Sequence, residues 1–65
     1  MPYQTNSDLP STITNNLPEH AQTIFRKAFN HALETYGTEE QAFKVAWAAV
    51  KKIYIKNAQG IWVAK

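Results

Sequence analysis

Residues Glu39–Tyr54 read EEQAFKVAWAAVKKIY, and the run Val45–Val50 within them, VAWAAV, is continuously apolar. A surface helix places polar residues on its outer side every few positions, so six apolar residues in succession are too many for one. Apolar side chains cover more than half of the helical wheel of this stretch, namely Ala42, Phe43, Val45, Ala46, Trp47, Ala49, Val50, Ile53 and Tyr54. The pattern predicts a central helix that the rest of the chain encloses.

A second amphipathic helix precedes this stretch. From Pro18 onward, apolar residues recur at the i, i+3, i+4, i+7 spacing of one helical face, and they are Ala21, Ile24, Phe25, Ala28, Phe29, Ala32, Leu33 and Tyr36. Gly37 stands where a left-handed residue commonly ends a helix. Thr38 offers an N-cap, with Gln41 completing a capping box for the next helix. A junction of one or two residues makes the two long helices packed neighbours.

Two Leu-Pro pairs, Leu9-Pro10 and Leu17-Pro18, divide the N-terminal third of the chain. The residue before a proline is pushed out of the α region, whereas proline itself is tolerated at the first helical position. Each pair therefore marks a break in the chain followed by a helix start. We predict a short first helix over Pro10–Asn15 and a restart at Pro18.

The C-terminal segment has the composition of a turn followed by a strand. Asn57–Gly60 is turn-forming, and Ile61–Val63 is β-branched and aromatic. Two segments could pair with this strand, Tyr54–Lys56 across the turn and the N-terminal arm around Tyr3, and we expect at least one of them to do so. Trp62 is the one aromatic residue that this arrangement could leave exposed. The predicted fold is mainly α: a compact three-helix domain of residues 1–65, with one short helix, two long helices and a small antiparallel β ribbon.

Length and composition restrict the function. The chain has 65 residues, a net charge of +2 and no cysteine, which leaves room for one domain and excludes a disulfide framework or a thiolate metal site. No apolar run approaches the ~20 residues of a membrane span, and Met1-Pro2-Tyr3 opens no signal peptide. We expect a soluble, cytoplasmic protein. The weak positive charge tolerates an acidic partner, although dedicated nucleic-acid binders are usually more basic.

No constellation of residues points to catalysis. His20 and His31 lie three turns apart on one helix, a rise of ~16 Å, so they cannot share a substrate atom or a metal ion within one chain. Glu39 and Glu40 point about 100° apart on a helix and complement its dipole. Both glycines of the chain lie at predicted turns, which leaves no glycine-rich phosphate loop. We therefore expect no enzyme activity, no cofactor, no metal and no small-molecule substrate.

The remaining candidate surface is basic. It comprises Arg26, Lys27 and His31 on the second helix and Lys44, Lys51 and Lys52 on the polar side of the central helix. Such lysines could follow phosphates, but no helix carries the dense Arg, Asn and Gln cluster that reads base edges. A solvated face that keeps a small apolar domain soluble is the alternative. The surface is thus a candidate for a protein partner or for weak, non-sequence-specific nucleic-acid binding.

Short motifs along nearly the whole chain match one known family. They are Pro2-Tyr3, Ser7–Pro10, Leu17–Gln22 with Ile24, Ala28–Asn30, the octet Lys44–Lys51, Tyr54 and Trp62. Because the octet KVAWAAVK is specific, the chain resembles the ChaB family, small proteins named as cation transport regulators. The family-motif residues, which we interpret as mostly structural, are Leu17, Pro18, His20, Phe29, Asn30, Trp47, Val50 and Tyr54.

The resemblance implies a compact fold of three helices and a small sheet. It also implies a role in modulating a sodium/calcium–proton antiporter, so our leading hypothesis is a non-enzymatic adaptor that binds a protein partner such as the cytoplasmic surface of a transporter. Viral relatives are suggested to bind DNA, which supports the nucleic-acid alternative. The bacterial namesakes carry a long charged loop between the two main helices, associated with weak divalent-cation binding. Here that segment shrinks to Gly37–Glu40, so we predict no metal site there.

Overall fold

The computed structural model describes residues 3–65, so the first two residues of the predicted arm lie outside the described part. Along the chain it contains a single 3-10 turn at Asn6–Asp8, α1 at Ser11–Thr14, α2 at Glu19–Tyr36, α3 at Glu39–Ile53, β1 at Tyr54–Lys56 and β2 at Trp62–Ala64. The predicted fold of one short helix, two long helices and a small antiparallel ribbon is confirmed. Within residues 3–65, none of the helices combines the length and the apolar character needed to cross a membrane.

Local signals set the ends of the two long helices. Pro18 is the N-cap of α2 in an extended conformation, one position before the helical residue that we predicted it to be. Gly37 ends α2 at φ 78, and its N–H donates to the Leu33 carbonyl at 2.8 Å. Glycine adopts this left-handed conformation without the steric cost of a Cβ. The Thr38 hydroxyl accepts the Gln41 N–H at 3.4 Å, which confirms Thr38 as the N-cap of α3.

The core lies between α2 and α3. The two helices are antiparallel, since Phe29 in the later part of α2 contacts Phe43 near the start of α3, with ring centroids 4.8 Å apart. Phe25, one turn earlier, meets Trp47 edge-on at 5.3 Å. Side chains from α1 and from the segments around it close the core, whose buried members are Leu9, Ile13, Leu17, Ala21, Phe25, Phe29, Ala32, Ala42, Ala46, Val50 and Tyr54.

The prediction that the rest of the chain encloses α3 is wrong for the outer face of the helix. Ala48 is exposed and Ile53 is 49% exposed, so α3 buries one face and leaves the other to solvent. Ala42 and Ala46 supply the small side chains of the helix contact, which lets the large rings of α2 fill the space between the helices. Tyr36, predicted on the apolar face of α2, is 59% exposed because it is the last residue of that helix.

The ribbon pairs β1 with β2, in the register Tyr54↔Ala64, Ile55↔Val63 and Lys56↔Trp62. Of the two predicted partners for the C-terminal strand, the structure shows the one across the turn, and Tyr3 lies outside the sheet. The side chain of Asn57 shapes the turn, since its Oδ1 accepts the N–H groups of Gln59 and Ile61. Trp62 is half-buried rather than exposed, because it faces inward and packs on Trp47 at 5.7 Å.

Candidate functional site

Five of the six residues predicted as a partner surface are exposed, namely Lys27, His31, Lys44, Lys51 and Lys52. The Lys44 ammonium lies 3.9 Å from a Glu40 carboxylate oxygen, one helical turn earlier, and both side chains are largely exposed. A solvated pair of this kind contributes little energy and leaves the lysine accessible. The lysine edge, which we define as Lys44, Lys51 and Lys52, therefore lies on the surface of α3.

Arg26 differs from the other cations in that it is half-buried and contacts the N-terminal arm. Its Nε donates to Asn6 Oδ1 at 2.9 Å, and its Nη1 donates to the Gln4 carbonyl at 3.3 Å. The Asn6 amide nitrogen donates in turn to the Thr23 hydroxyl at 2.9 Å. The structure thus separates Arg26 from the exposed cations and places its guanidinium in a contact internal to the chain.

Asn30 holds the arm through its side-chain amide. The Tyr3 N–H donates to Asn30 Oδ1 at 2.8 Å, and Asn30 Nδ2 donates to the Tyr3 carbonyl at 2.7 Å. One amide side chain thereby satisfies both backbone groups of Tyr3, as a neighbouring strand would. The Tyr3 ring packs on Phe29, with centroids 4.9 Å apart. Arg26 and Asn30, on the polar side of α2, therefore form a second internal contact.

The phenol of Tyr3 has a raised pKa. Burial disfavours the phenolate, and the nearby carboxylate of Glu39 raises the pKa further. The Tyr3 phenol thus lies near enough to the first turn of α3 for the charge of Glu39 to act on it.

The family-motif residues lie mainly in packing positions. Leu17, Phe29, Val50 and Tyr54 are buried, Trp47 is half-buried, and Pro18 caps α2. His20 is exposed, with its ring 6.3 Å from that of Tyr54. Among residues 3–65, no three His, Cys, Asp or Glu side chains come together in a group that could hold a metal ion.

The outer face of the ribbon is a surface that the sequence analysis missed. We define the ribbon face as Ile53, Ile55, Ile61 and Val63, whose exposed fractions lie between 39% and 53%. Ile55 pairs directly with Val63, and because side chains along a strand alternate between faces, this pair lies opposite the inward-facing Tyr54 and Trp62. Ile53, the last residue of α3, and Ile61, just before β2, flank the pair. The alternation was available in the sequence, but the register needed to combine the two strands was not.

Charge is distributed unevenly around this surface. Residues 51–65 contain four lysines, Lys51, Lys52, Lys56 and Lys65, and no aspartate or glutamate. Three glutamates, Glu34, Glu39 and Glu40, lie at the α2–α3 junction instead. The start and end of α3, Glu39 and Ile53, are separated by about 21 Å at 1.5 Å per residue. Residues 51–65 are consequently basic, and the α2–α3 junction is acidic.

The ChaB family model matches residues 9–65 of the chain. The chain belongs to the ChaB family. Proteins from Escherichia coli K12, Escherichia coli O157:H7 and Shigella flexneri, each named "Putative cation transport regulator ChaB", are 45% identical to it over 75 aligned residues. The alignments cover 100% of this chain and 99% of each relative.

A solved structure supports the same assignment. The NMR solution structure of a protein described as the putative cation transport regulator ChaB superimposes with a TM-score of 0.89 and 44% identity. The superposition covers 98% of this chain and 99% of that one. The family resemblance and the fold that it implies are both confirmed. Since the sequence alignments span 75 positions and this chain has 65 residues, the relatives carry residues that it lacks.

Proposed function

We propose that this ChaB-family chain is a non-enzymatic regulator of cation transport that acts by binding a protein partner. The observation that carries the proposal is the match, 45% identical over the full chain, to relatives named as regulators of cation transport. We further propose that the partner is the cytoplasmic surface of a sodium/calcium–proton antiporter and that this chain acts in the cytoplasm.

The lysine edge is the surface that we assign to this partner. The contacts described for residues 3–65 give Lys51 and Lys52 no ion pair, and the single contact of Lys44 with Glu40 is solvated. Both Lys51 and Lys52 lie in the last turn of α3, where the negative end of the helix dipole favours a cation. An exposed basic edge of this kind complements an acidic patch on the partner.

Deletion and complementation test the proposal. Cation-driven proton exchange is measured in membrane vesicles from cells that lack the gene and from cells that express the chain or a Lys44→Glu, Lys51→Glu, Lys52→Glu variant. We expect the intact chain, but not the variant, to restore exchange and to co-purify a transporter. A Glu34→Lys variant changes charge on a different surface and should behave as the intact chain. Unchanged transport on deletion, together with an affinity purification that recovers no protein, would overturn the proposal.

Weak nucleic-acid binding is the alternative that the same lysines favour. They are exposed, and a protein that neutralises phosphates with lysine loses affinity steeply as salt rises. A fluorescence titration with duplex DNA at low salt and at physiological salt separates the two functions. A DNA affinity that falls steeply with salt, and that the triple lysine variant lacks, would support the alternative. A titration that shows no DNA binding at low salt would exclude it.

A further inference from the structure

We propose that the ribbon face docks on an anionic lipid bilayer. The proposal goes beyond the regulatory function, because it concerns the ribbon face, which adjoins the lysine edge at Lys51 and Lys52, and needs no protein partner. It rests on the placement of four aliphatic side chains on one face and on the lysines around them.

The hydrogen-bond ladder fixes the geometry of this face. The Lys65 N–H donates to the Ile53 carbonyl and the Asn57 N–H to the Ile61 carbonyl, both at 2.9 Å, so the pairing extends beyond both ends of the assigned strands. Ile53 therefore lies beside Ile55 on the outer face, and Ile61 lies beside Val63. The four side chains form one continuous aliphatic surface that no described element covers.

Strand formation alone does not require this surface to be apolar. β-branched residues favour strands, but threonine would supply the same branching with a polar side chain. A short exposed hairpin is usually protected by polar or charged residues on its open face, because exposed aliphatic strands associate. Four exposed aliphatic residues on a ribbon of two three-residue strands therefore indicate a surface that is covered when the protein acts.

The charges around the ribbon face point to an anionic occupant. Lys51 and Lys52 immediately precede it, and Lys65 lies on the same face, across from Ile53. Lys56 is on the opposite face at the turn end, where its stem lies near Gly60. Glu19, at the start of α2, borders the depression beside the 3-10 turn. Residues 51–65 contain no aspartate or glutamate, so the ribbon itself carries no carboxylate side chain beside these lysines.

A bilayer fits this combination better than the other occupants. All the charges are lysines, and lysines clustered beside an apolar surface are attracted to the negative surface potential of an anionic bilayer. The face has no exposed aromatic side chain to anchor a protein interface. A second copy would oppose lysine to lysine across a two-fold axis. A nucleic-acid duplex would leave the aliphatic residues without a partner.

The test uses the full chain and sedimentation with vesicles, either of phosphatidylcholine alone or of phosphatidylcholine mixed with phosphatidylglycerol. We expect binding to the mixed vesicles only, weakening as salt rises. An Ile55→Thr, Val63→Thr variant keeps strand propensity and should bind at least about tenfold more weakly. A Lys52→Gln, Lys65→Gln variant leaves the ladder intact and should bind about fivefold more weakly for each lysine removed.

A Tyr36→Gln variant is the matched control, since Tyr36 is an exposed apolar residue at the acidic α2–α3 junction, and it should bind vesicles as the intact chain does. Circular dichroism shows whether each variant is folded. If the threonine variant is unfolded, vesicle binding by the lysine variant tests the proposal instead. Absence of binding to the mixed vesicles at low salt, or equal binding by all variants, would overturn the proposal. So would a dimer in sedimentation velocity that the threonine variant dissociates. Because the vesicles contain no protein, an absence of vesicle binding would not contradict the transporter proposal. Likewise, an absence of transporter binding would not contradict the lipid proposal.

Discussion

Helix α2 and the β ribbon use their faces in opposite ways. On α2, Phe25 and Phe29 are completely buried against α3, and Arg26 and Asn30 on its polar side bind the N-terminal arm, so part of the polar side is internal as well. The ribbon buries its inner face and exposes the aliphatic one. Polar side chains of a helix thus make internal contacts, whereas aliphatic side chains of a strand are exposed to solvent. The polarity of a side chain therefore does not show whether it is internal or exposed.

The largest effect on stability should come from the buried aromatic side chains of α2, Phe25 and Phe29. We expect Phe29→Ala to lower the free energy of unfolding by ~3–5 kcal/mol, because it removes a fully buried ring that contacts both Tyr3 and Phe43. That loss is comparable to the whole stability of a domain of this size, about 3–5 kcal/mol. Urea denaturation followed by circular dichroism measures it.

Ile55→Ala is the matched change on the ribbon face. Its effect on the free energy of unfolding should stay within about 0.5 kcal/mol, as for other surface positions. Equal losses from Phe29→Ala and Ile55→Ala would mean that the ribbon face is part of the core, and the contrast between the two regions would fail.

A smaller effect should come from the polar face of α2. We expect Asn30→Ala to lower the free energy of unfolding by about 1–2 kcal/mol, because two partly buried hydrogen bonds to the Tyr3 backbone are lost at roughly 0.5–1.5 kcal/mol each. Native-state amide exchange should show the Tyr3 N–H losing its protection. His31→Ala, an exposed change one residue later, should have neither effect. If both variants unfold alike, the hydrogen bonds of Asn30 to the arm contribute nothing to stability.

Local sequence was sufficient for the architecture. Pro18, Gly37 and Thr38 are each next to the end of a long helix, because caps depend on neighbouring residues only. The turn from Asn57 to Gly60 likewise placed the ribbon. These features need no knowledge of the tertiary structure, and for that reason the element order and an antiparallel ribbon could be predicted, although two partners for its C-terminal strand stayed open.

Tertiary contacts explain what the sequence could not reveal. Asn30 binds a residue 27 positions away, and no local spacing indicates that partner. The exposure of Ile53 depends on the path of the chain after α3, which passes directly into β1. The lysine edge lies on the surface as expected, but its partner is still a prediction. The ribbon face required the register of two strands before its four side chains could be placed together.

The smallest effect concerns the arm at alkaline pH. The Tyr3 pKa is raised above its ordinary value of 10.0 by burial and by the carboxylate of Glu39. The folded state therefore holds the phenol proton more tightly than the unfolded state. The resulting stability is fully present below pH 10 and is lost as the pH rises through the raised folded pKa. Urea denaturation across this range should show a smaller alkaline loss for Tyr3→Phe than for the intact chain.

Two further measurements connect this loss to the second face of α2. Glu39→Gln should lower the Tyr3 pKa toward 10.0, since it removes the carboxylate but not the burial; ultraviolet titration, with Tyr3→Phe as the reference for the other tyrosines, measures the shift. Asn30→Ala should lower it as well, because a released arm returns the phenol to water. A Tyr3 pKa that Asn30→Ala leaves unchanged would mean that ring packing on Phe29 holds the arm without the amide.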